Sequence, residues 1–297
     1  MARAAFYFVD VFARRPLTGN PLSLVPDADD LAEAQMRAIA REFNQSETTF
    51  VLRPATAGAT WRLRSFTPIG AEVFGAGHNA LGAWLWLAHA DRLDVAAGGE
   101  LSQEIGPEVL PVEVSWGHDG LVTVTMDQSA PEFGRVAGDR AELAAALGLR
   151  PADLVADQPA QVVSTGAGHL LVPVRDRAAV DRARPATERL AAVLTQAGGE
   201  GCYLYSRDPV DPGDAVAYTR FFNPTMGIAE DPATGTAAGP LVARLVAEGA
   251  VADGGRPVIV EQGHALGRPS RIQVSVAGPR VRVGGSGLVV AEGTIAL

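Results

Sequence analysis

Hydrophobic positions along the chain change period in the same order twice. In the first half, residues 6–12 and 22–25 are short apolar runs that read as strands. Residues 31–43 repeat apolar positions at helical spacing with a polar face, and residues 48–52 and 60–66 return to strand patterning. In the second half, residues 162–164 and 170–174 read as strands, 187–197 as a polar-faced helix, and 202–206 and 215–222 as strands again. Each series then meets a Pro/Gly loop and a last helix, starting at Gly77 or Gly235. The tail predicts three more strands over 271–276, 281–284 and 288–297, with Gly turns between them.

The two last helices are unlike the others. Residues 80–88 are apolar on every side, and 237–246 are nearly so apart from Arg244. A helix that is apolar all round must be buried all round. In a water-soluble chain a curved sheet wrapped around the helix achieves this. The expected fold is therefore α+β, with two similar domains, each a curved mixed sheet or barrel around one central hydrophobic helix. Their expected extents are residues 1–125 and 126–297, the last C-terminal strand being able to pack back on the first. A weak internal repeat agrees: Arg64-Ser65-Phe66-Thr67-Pro68 matches Arg220-Phe221-Phe222-Asn223-Pro224, and Gly77-His78-Asn79-Ala80 matches Gly235-Thr236-Ala237-Ala238 at nearly the same offset. So long a period indicates a duplicated domain rather than a solenoid.

Composition narrows the chemistry. Of 297 residues 47% are hydrophobic and the net charge is −9, so phosphate backbones and anionic lipid repel the chain, and neither nucleic acid nor membrane is an expected partner. Every basic side chain is Arg, which removes lysine-anchored Schiff-base and pyridoxal chemistry. The single cysteine, Cys202, allows no internal disulfide and no thiolate metal cluster, and it reads as a small buried strand residue. The N-terminus lacks a signal-peptide profile and the longest apolar stretch is far shorter than a bilayer span, so a cytoplasmic location is expected.

The starts of the two buried helices are where chemistry is expected. A helix N-terminus presents unpaired N–H groups and partial positive charge, and Gly lets a ligand approach the backbone. Two such sites meeting in one interdomain cleft would hold a carboxylate despite the overall charge. The polar residues nearby are His78, the pair Glu230 and Asp231, Thr236, and Glu47 at a helix-to-strand junction. Each has a plainer alternative: a solvated loop carboxylate for Glu47, a core or cap histidine for His78, a cap residue for Asp231, and a first-turn residue for Thr236.

A series of motifs resembles the PhzF (phenazine biosynthesis) family. Asp10-Val11-Phe12 precedes Gly19-Asn20-Pro21-Leu22, followed by Ser46-Glu47-Thr48-Thr49-Phe50 and by Glu72 with Gly77-His78. Then come Glu230-Asp231-Pro232-Ala233-Thr234-Gly235-Thr236-Ala237 and Gln262-Gly263 with Gly267-Arg268-Pro269-Ser270. The resemblance implies the two-domain fold of diaminopimelate epimerase; separately, charge-light, Gly-edged sheets at the domain faces would suit a homodimer. The resemblance also implies an isomerase that needs neither metal nor cofactor and acts on a small unsaturated carboxylic acid such as trans-2,3-dihydro-3-hydroxyanthranilate. On that pattern Glu47 takes a proton from one ring carbon and returns it to another, with His78 and Asp231 completing the catalytic set. Backbone N–H groups near Gly77 and Gly235 would hold the substrate carboxylate, and Thr236, at the family's Ser/Thr helix-start position, and Asn79 are further expected substrate-binding residues. The sequence departs from the family at Phe74-Gly75-Ala76-Gly77-His78-Asn79-Ala80, where Asn79 replaces the usual Pro or Ala.

Two other functions compete: a related isomerase in another secondary-metabolite route, such as one building an alkylated proline, and a non-catalytic binding protein. Racemisation by two opposed thiols is not expected with one cysteine. His89, His118, His169 and His264 lack metal-ligand spacing and read as structural.

Overall fold

A computed structural model of the chain describes residues 3–93, 100–117 and 120–297. In chain order the elements are β1 (Arg3–Val11), β2 (Asn20–Val25), α1 (Glu33–Phe43), β3 (Thr48–Leu52), β4 (Trp61–Phe66), β5 (Glu72–Val73), α2 (His78–His89), β6 (Leu101–Ile105), β7 (Glu108–Trp116) and β8 (Val122–Gln128). There follow β9 (Glu132–Val136), α3 (Arg140–Ala146), β10 (Gln161–Ser164), β11 (Gly168–Pro173), α4 (Arg177–Arg182), α5 (Thr187–Ala197), β12 (Gly201–Ser206) and β13 (Ala215–Asn223). The chain ends with β14 (Ile228–Asp231), α6 (Gly235–Ala247), β15 (Val258–Gln262), β16 (Ser270–Ala277) and β17 (Arg280–Ala296). The fold is α+β. It divides into two compact units, Met1–Met126 with Gly284–Leu297, and Asp127–Val283. Among the described residues no helix is long and apolar enough to cross a membrane.

In the first unit eight strands close on themselves in the order β17–β1–β2–β3–β4–β6–β7–β8 and back to β17. The pairs β2–β3 and β4–β6 are parallel, while β17–β1, β1–β2, β3–β4, β6–β7 and β7–β8 are antiparallel, so the barrel is mixed. Helix α2 packs on β1, β2, β3 and β4, and residues 79–87 are all buried. This is the outcome its uniform apolarity demands. Trp84, fully buried at its middle, keeps its indole N–H satisfied by donating to Gln103 Oε1 at 2.9 Å. Helix α1 covers another face, with Met36, Ile39 and Ala40 against Val25, Phe50 and Phe66. Asn44 ends α1 in the left-handed region at φ 51°, which Asn tolerates better than most residues.

In the second unit the strand sequence is β9–β10–β11–β12–β13–β15–β16, parallel at β11–β12 and β13–β15 and otherwise antiparallel. Helix α6 packs on β10, β11 and β16 and is buried through Leu245. Arg244 is tolerated there because Glu248 (2.7 Å) and the carbonyl of Pro159 (2.9 Å) accept from its guanidinium. Helices α3, α4 and α5 cover a separate core with Leu143, Leu147, Val180, Leu190 and Leu194 against Leu170, Val172, Cys202 and Leu204.

The tail differs from the expected pattern. The expected strands 281–284 and 288–297 are not separated by a Gly turn; residues 281–284 and 288–296 both belong to the single strand β17. Its glycines serve close approach instead. A side chain at Gly287 would meet the Asp10 carbonyl oxygen at 2.5 Å, and one at Gly285 would meet the Phe12 ring at 2.5 Å. The hydrophobic pattern also left β5 to β9, β14, β15 and the short helices α3 and α4 unpredicted.

Candidate active site

In the first unit the site forms where the α1–β3 junction meets the start of α2. Strand β3 begins one residue after Glu47, and helix α2 begins at His78. The carboxylate Oε2 of Glu47 lies 3.9 Å from Nδ1 of His78, and both side chains are largely buried. On the other side of the imidazole, Nε2 is 3.3 Å from the Ser46 hydroxyl. Burial pushes His78 down to about 4, so at neutral pH the imidazole is uncharged. The pair is therefore a carboxyl group beside a neutral ring, suited to passing or orienting a proton rather than to an ion pair.

Asn79 is buried, and its side chain is used within the loop. Its Oδ1 accepts the Gly77 N–H at 2.8 Å, while its amide nitrogen donates to the Gly75 carbonyl (3.0 Å) and to Ser65 Oγ (3.1 Å). It thus fixes the loop that presents Gly77 and the first turn of α2. Replacing Asn79 by Ala is expected to cost about 1–3 kcal/mol for stranding buried partners, read as a lower midpoint in urea unfolding. Asn79→Asp, which keeps the acceptor for Gly77, should recover part of that loss.

In the second unit strand alternation separates the two adjacent carboxylates of β14. Glu230 accepts both arms of the Arg220 guanidinium at 2.8 and 2.7 Å and is a structural partner. Asp231 faces the start of α6, where the Thr234 hydroxyl donates to its Oδ2. Gln262 ties this turn together: its amide donates to the Asp231 carbonyl (2.7 Å), and its Oε1 accepts from the Thr234 N–H (3.1 Å) and from Tyr203 (2.9 Å). Gly263, at φ 80°, lets the chain pass here, since a side chain would meet the Arg268 and Pro232 carbonyl oxygens at 2.3 and 2.5 Å. Gly235 and Thr236 open the first turn of α6, and Thr236 is partly exposed.

Sequence reasoning treated His169 as structural, but its Nε2 lies 3.3 Å from the Thr236 hydroxyl. Gly168-His169-Leu170-Leu171 loosely matches Gly19-Asn20-Pro21-Leu22 in the first half, and that repeat is the signal the sequence offers for this position. Ser46 and Gln262 lay inside quoted motifs without an assigned part. His89 accompanies the Gly287 carbonyl at 3.3 Å, and the His264 ring lies tilted against Tyr218, with centroids 5.1 Å apart; His118 lies outside the described residues. Among the described residues no three His, Cys, Asp or Glu side chains come together as a metal site. Cys202 is fully buried, and burial pushes its thiol up to about 12, so it stays protonated and inert.

The buried histidines make stability depend on pH. An exposed imidazole titrates at 6.5, while His78 and His169 in the fold are held near 4. The unfolded chain therefore binds protons first as pH falls, so the contribution is complete above 6.5 and drains away towards 4. The urea midpoint should be lower at about pH 5 than at about pH 7, and His78→Gln should flatten that slope. Equal midpoints would contradict burial of the neutral rings.

An α+β chain with buried helices opening on carboxylate and imidazole groups defines a class of small-acid isomerases and epimerases, and the comparisons narrow it. Residues 9–293 match the family described as phenazine biosynthesis-like protein, and the chain belongs to that family and is an isomerase. It is 34% identical over 299 residues to the trans-2,3-dihydro-3-hydroxyanthranilate isomerase of Pseudomonas chlororaphis, covering 98% of this chain and 99% of that one. A phenazine biosynthesis protein of the PhzF family from Bacillus anthracis superposes with a TM-score of 0.92 at 30% identity, over 100% of both chains. A predicted epimerase from Pseudomonas aeruginosa superposes at 0.80 with 35% identity, again over 100% of both.

Proposed function

We propose that the chain isomerises a small unsaturated carboxylic acid by proton transfer, with Glu47 carrying the proton. The observation that carries this reading is the Glu47–His78 pair: a carboxylate 3.9 Å from a neutral, buried imidazole at the start of a buried helix. Glu47 takes a proton from one carbon, the electrons of that C–H bond shift through the conjugated bonds, and the proton returns to another carbon. No atom is gained or lost. Helix ends favour negative charge, so the first turn of α2 and that of α6 with Thr236 each offer a place for a substrate carboxylate. Asp231, positioned by Thr234 and Gln262, orients the acid.

The proposed architecture is a duplicated domain. Its support lies in repeated devices, beyond the helices α2 and α6. Arg64 forks onto Glu72 as Arg220 forks onto Glu230. Buried Glu104 accepts two consecutive N–H groups from Ala55 and Thr56, as buried Glu261 does from Val210 and Asp211. Assembly as a homodimer is part of the same proposal.

The 34% identical relative suggests trans-2,3-dihydro-3-hydroxyanthranilate as the first acid to test. Its conversion is followed by absorbance, with Thr236→Ala measured alongside. Saturable conversion that Thr236→Ala weakens supports the reading. The absence of conversion by folded protein would remove this substrate and favour an acid of another route.

A further inference from the structure

We propose that His169 is a positioning residue for Thr236, holding its hydroxyl so that the proton faces the bound carboxylate. This deepens the reading above and rests on its assignment of Thr236 to substrate binding. His169 stands on β11 at 3% exposure, and its ring meets Phe221 edge-on with centroids 5.0 Å apart. Space for this pair comes from Gly201, its neighbour on β12. A side chain there would lie 2.5 Å from the Phe221 ring and 3.3 Å from His169 Nδ1.

The two ring nitrogens have different surroundings. Nε2 lies 3.3 Å from Thr236 Oγ1, whereas Nδ1 is buried with no hydrogen-bond partner among the described residues. Burial keeps the ring neutral at physiological pH, so one nitrogen carries the proton and the other a lone pair. A proton on Nδ1 would bury an N–H donor with nothing to receive it. A proton on Nε2 leaves only a lone pair unmet there. Orphaned buried N–H groups are the rarer and costlier defect. The geometry thus selects the Nε2–H form, which donates to Thr236 Oγ1. A hydroxyl whose lone pair is taken this way keeps its own proton to give. Thr236 is partly exposed at the first turn of α6, beside Gly235, so that proton adds to the N–H donors a carboxylate would meet.

The test is read on protein that need not turn over. Two-bond proton–nitrogen correlation spectra of protein labelled with 15N-histidine distinguish the two tautomers directly. The Nε2–H form of His169 is expected, with its Nε2 resonance shifted in Thr236→Val. The Nδ1–H form would overturn the proposal, whatever the activity. Titration with anthranilate, an unreactive amino-substituted acid, supplies the second measurement. His169→Phe should weaken binding about 10-fold, the loss of one hydrogen bond to a charged group. His169→Gln, which can place a donor near the Nε2 position, should restore most of it, and His169→Phe should add little further loss in a Thr236→Val background. Fully additive losses, or equal affinity in all variants, would show that His169 does not act through Thr236. Failure of Glu47 as proton carrier would leave the tautomer and this coupling untouched, so the two proposals fail separately.

Discussion

Glu47→Gln is expected to lower turnover by about 10²–10⁴-fold, the typical contribution of a positioned acid or base. Glutamine keeps the size of the side chain and its hydrogen-bonding capacity but cannot accept and return a proton. The loss should fall on kcat, with affinity for the acid nearly unchanged by calorimetry, because the proposed carboxylate contacts do not involve residue 47. Unfolding should stay close to wild type, since Glu47 lies at a partly exposed junction outside both central helices. A fall in affinity equal to the fall in turnover would instead make Glu47 a binding group.

The second large effect concerns the fold. Trp84→Ala should cost about 3–5 kcal/mol from lost packing alone. Trp84 is fully buried in α2. Its removal also strips Gln103 Oε1 of its donor in a position where water does not reach. Against total stabilities of about 5–15 kcal/mol, this is a large fraction. Denaturant unfolding should show a markedly lower midpoint, with Trp84→Phe between the two because it keeps much of the volume but loses the hydrogen bond. A near-wild-type midpoint for Trp84→Ala would contradict the central place given to α2.

Much of this was legible in residue order, for physical reasons that vary along the chain. Helices α2 and α6 announced themselves because uniform apolarity has few solutions in water. Strands β3 and β12 were readable because runs such as Thr48–Leu52 are buried on both faces. Strand β7 was not, since most of its residues are exposed and Pro111 interrupts its apolar alternation. Helices α3 and α4 are too short for a period to build up; what starts them is the side chains of Asp139 and Asp176 accepting backbone N–H groups. The glycines of β17 misled because spacing cannot distinguish a turn from a place where another backbone passes close.

The site divides similarly. Glu47, His78, Asp231 and Thr236 stood out through motif order, and the structure brings Glu47 to His78, and Asp231 to the turn that leads into Thr236. Hydrophobic patterning does not distinguish Glu230 from Asp231, and only the family resemblance singled out Asp231; the pleat of β14 sends Glu230 to Arg220 and Asp231 to Thr234. Asn79 carried no sign that its amide would be consumed by its own loop. His169 is 67 residues from Thr236, a separation no local pattern bridges.

The central claim is that one carboxylate moves one proton between two carbons. The most direct test incubates wild type and Glu47→Gln side by side in D2O with trans-2,3-dihydro-3-hydroxyanthranilate and follows the hydrogens of substrate and product by NMR. The account predicts that the wild type forms the isomer, with the hydrogen at the newly protonated carbon supplied from the substrate or exchanged for deuterium. It predicts that the variant forms neither product nor exchanged substrate. Isomer formation by Glu47→Gln at the wild-type rate would contradict it.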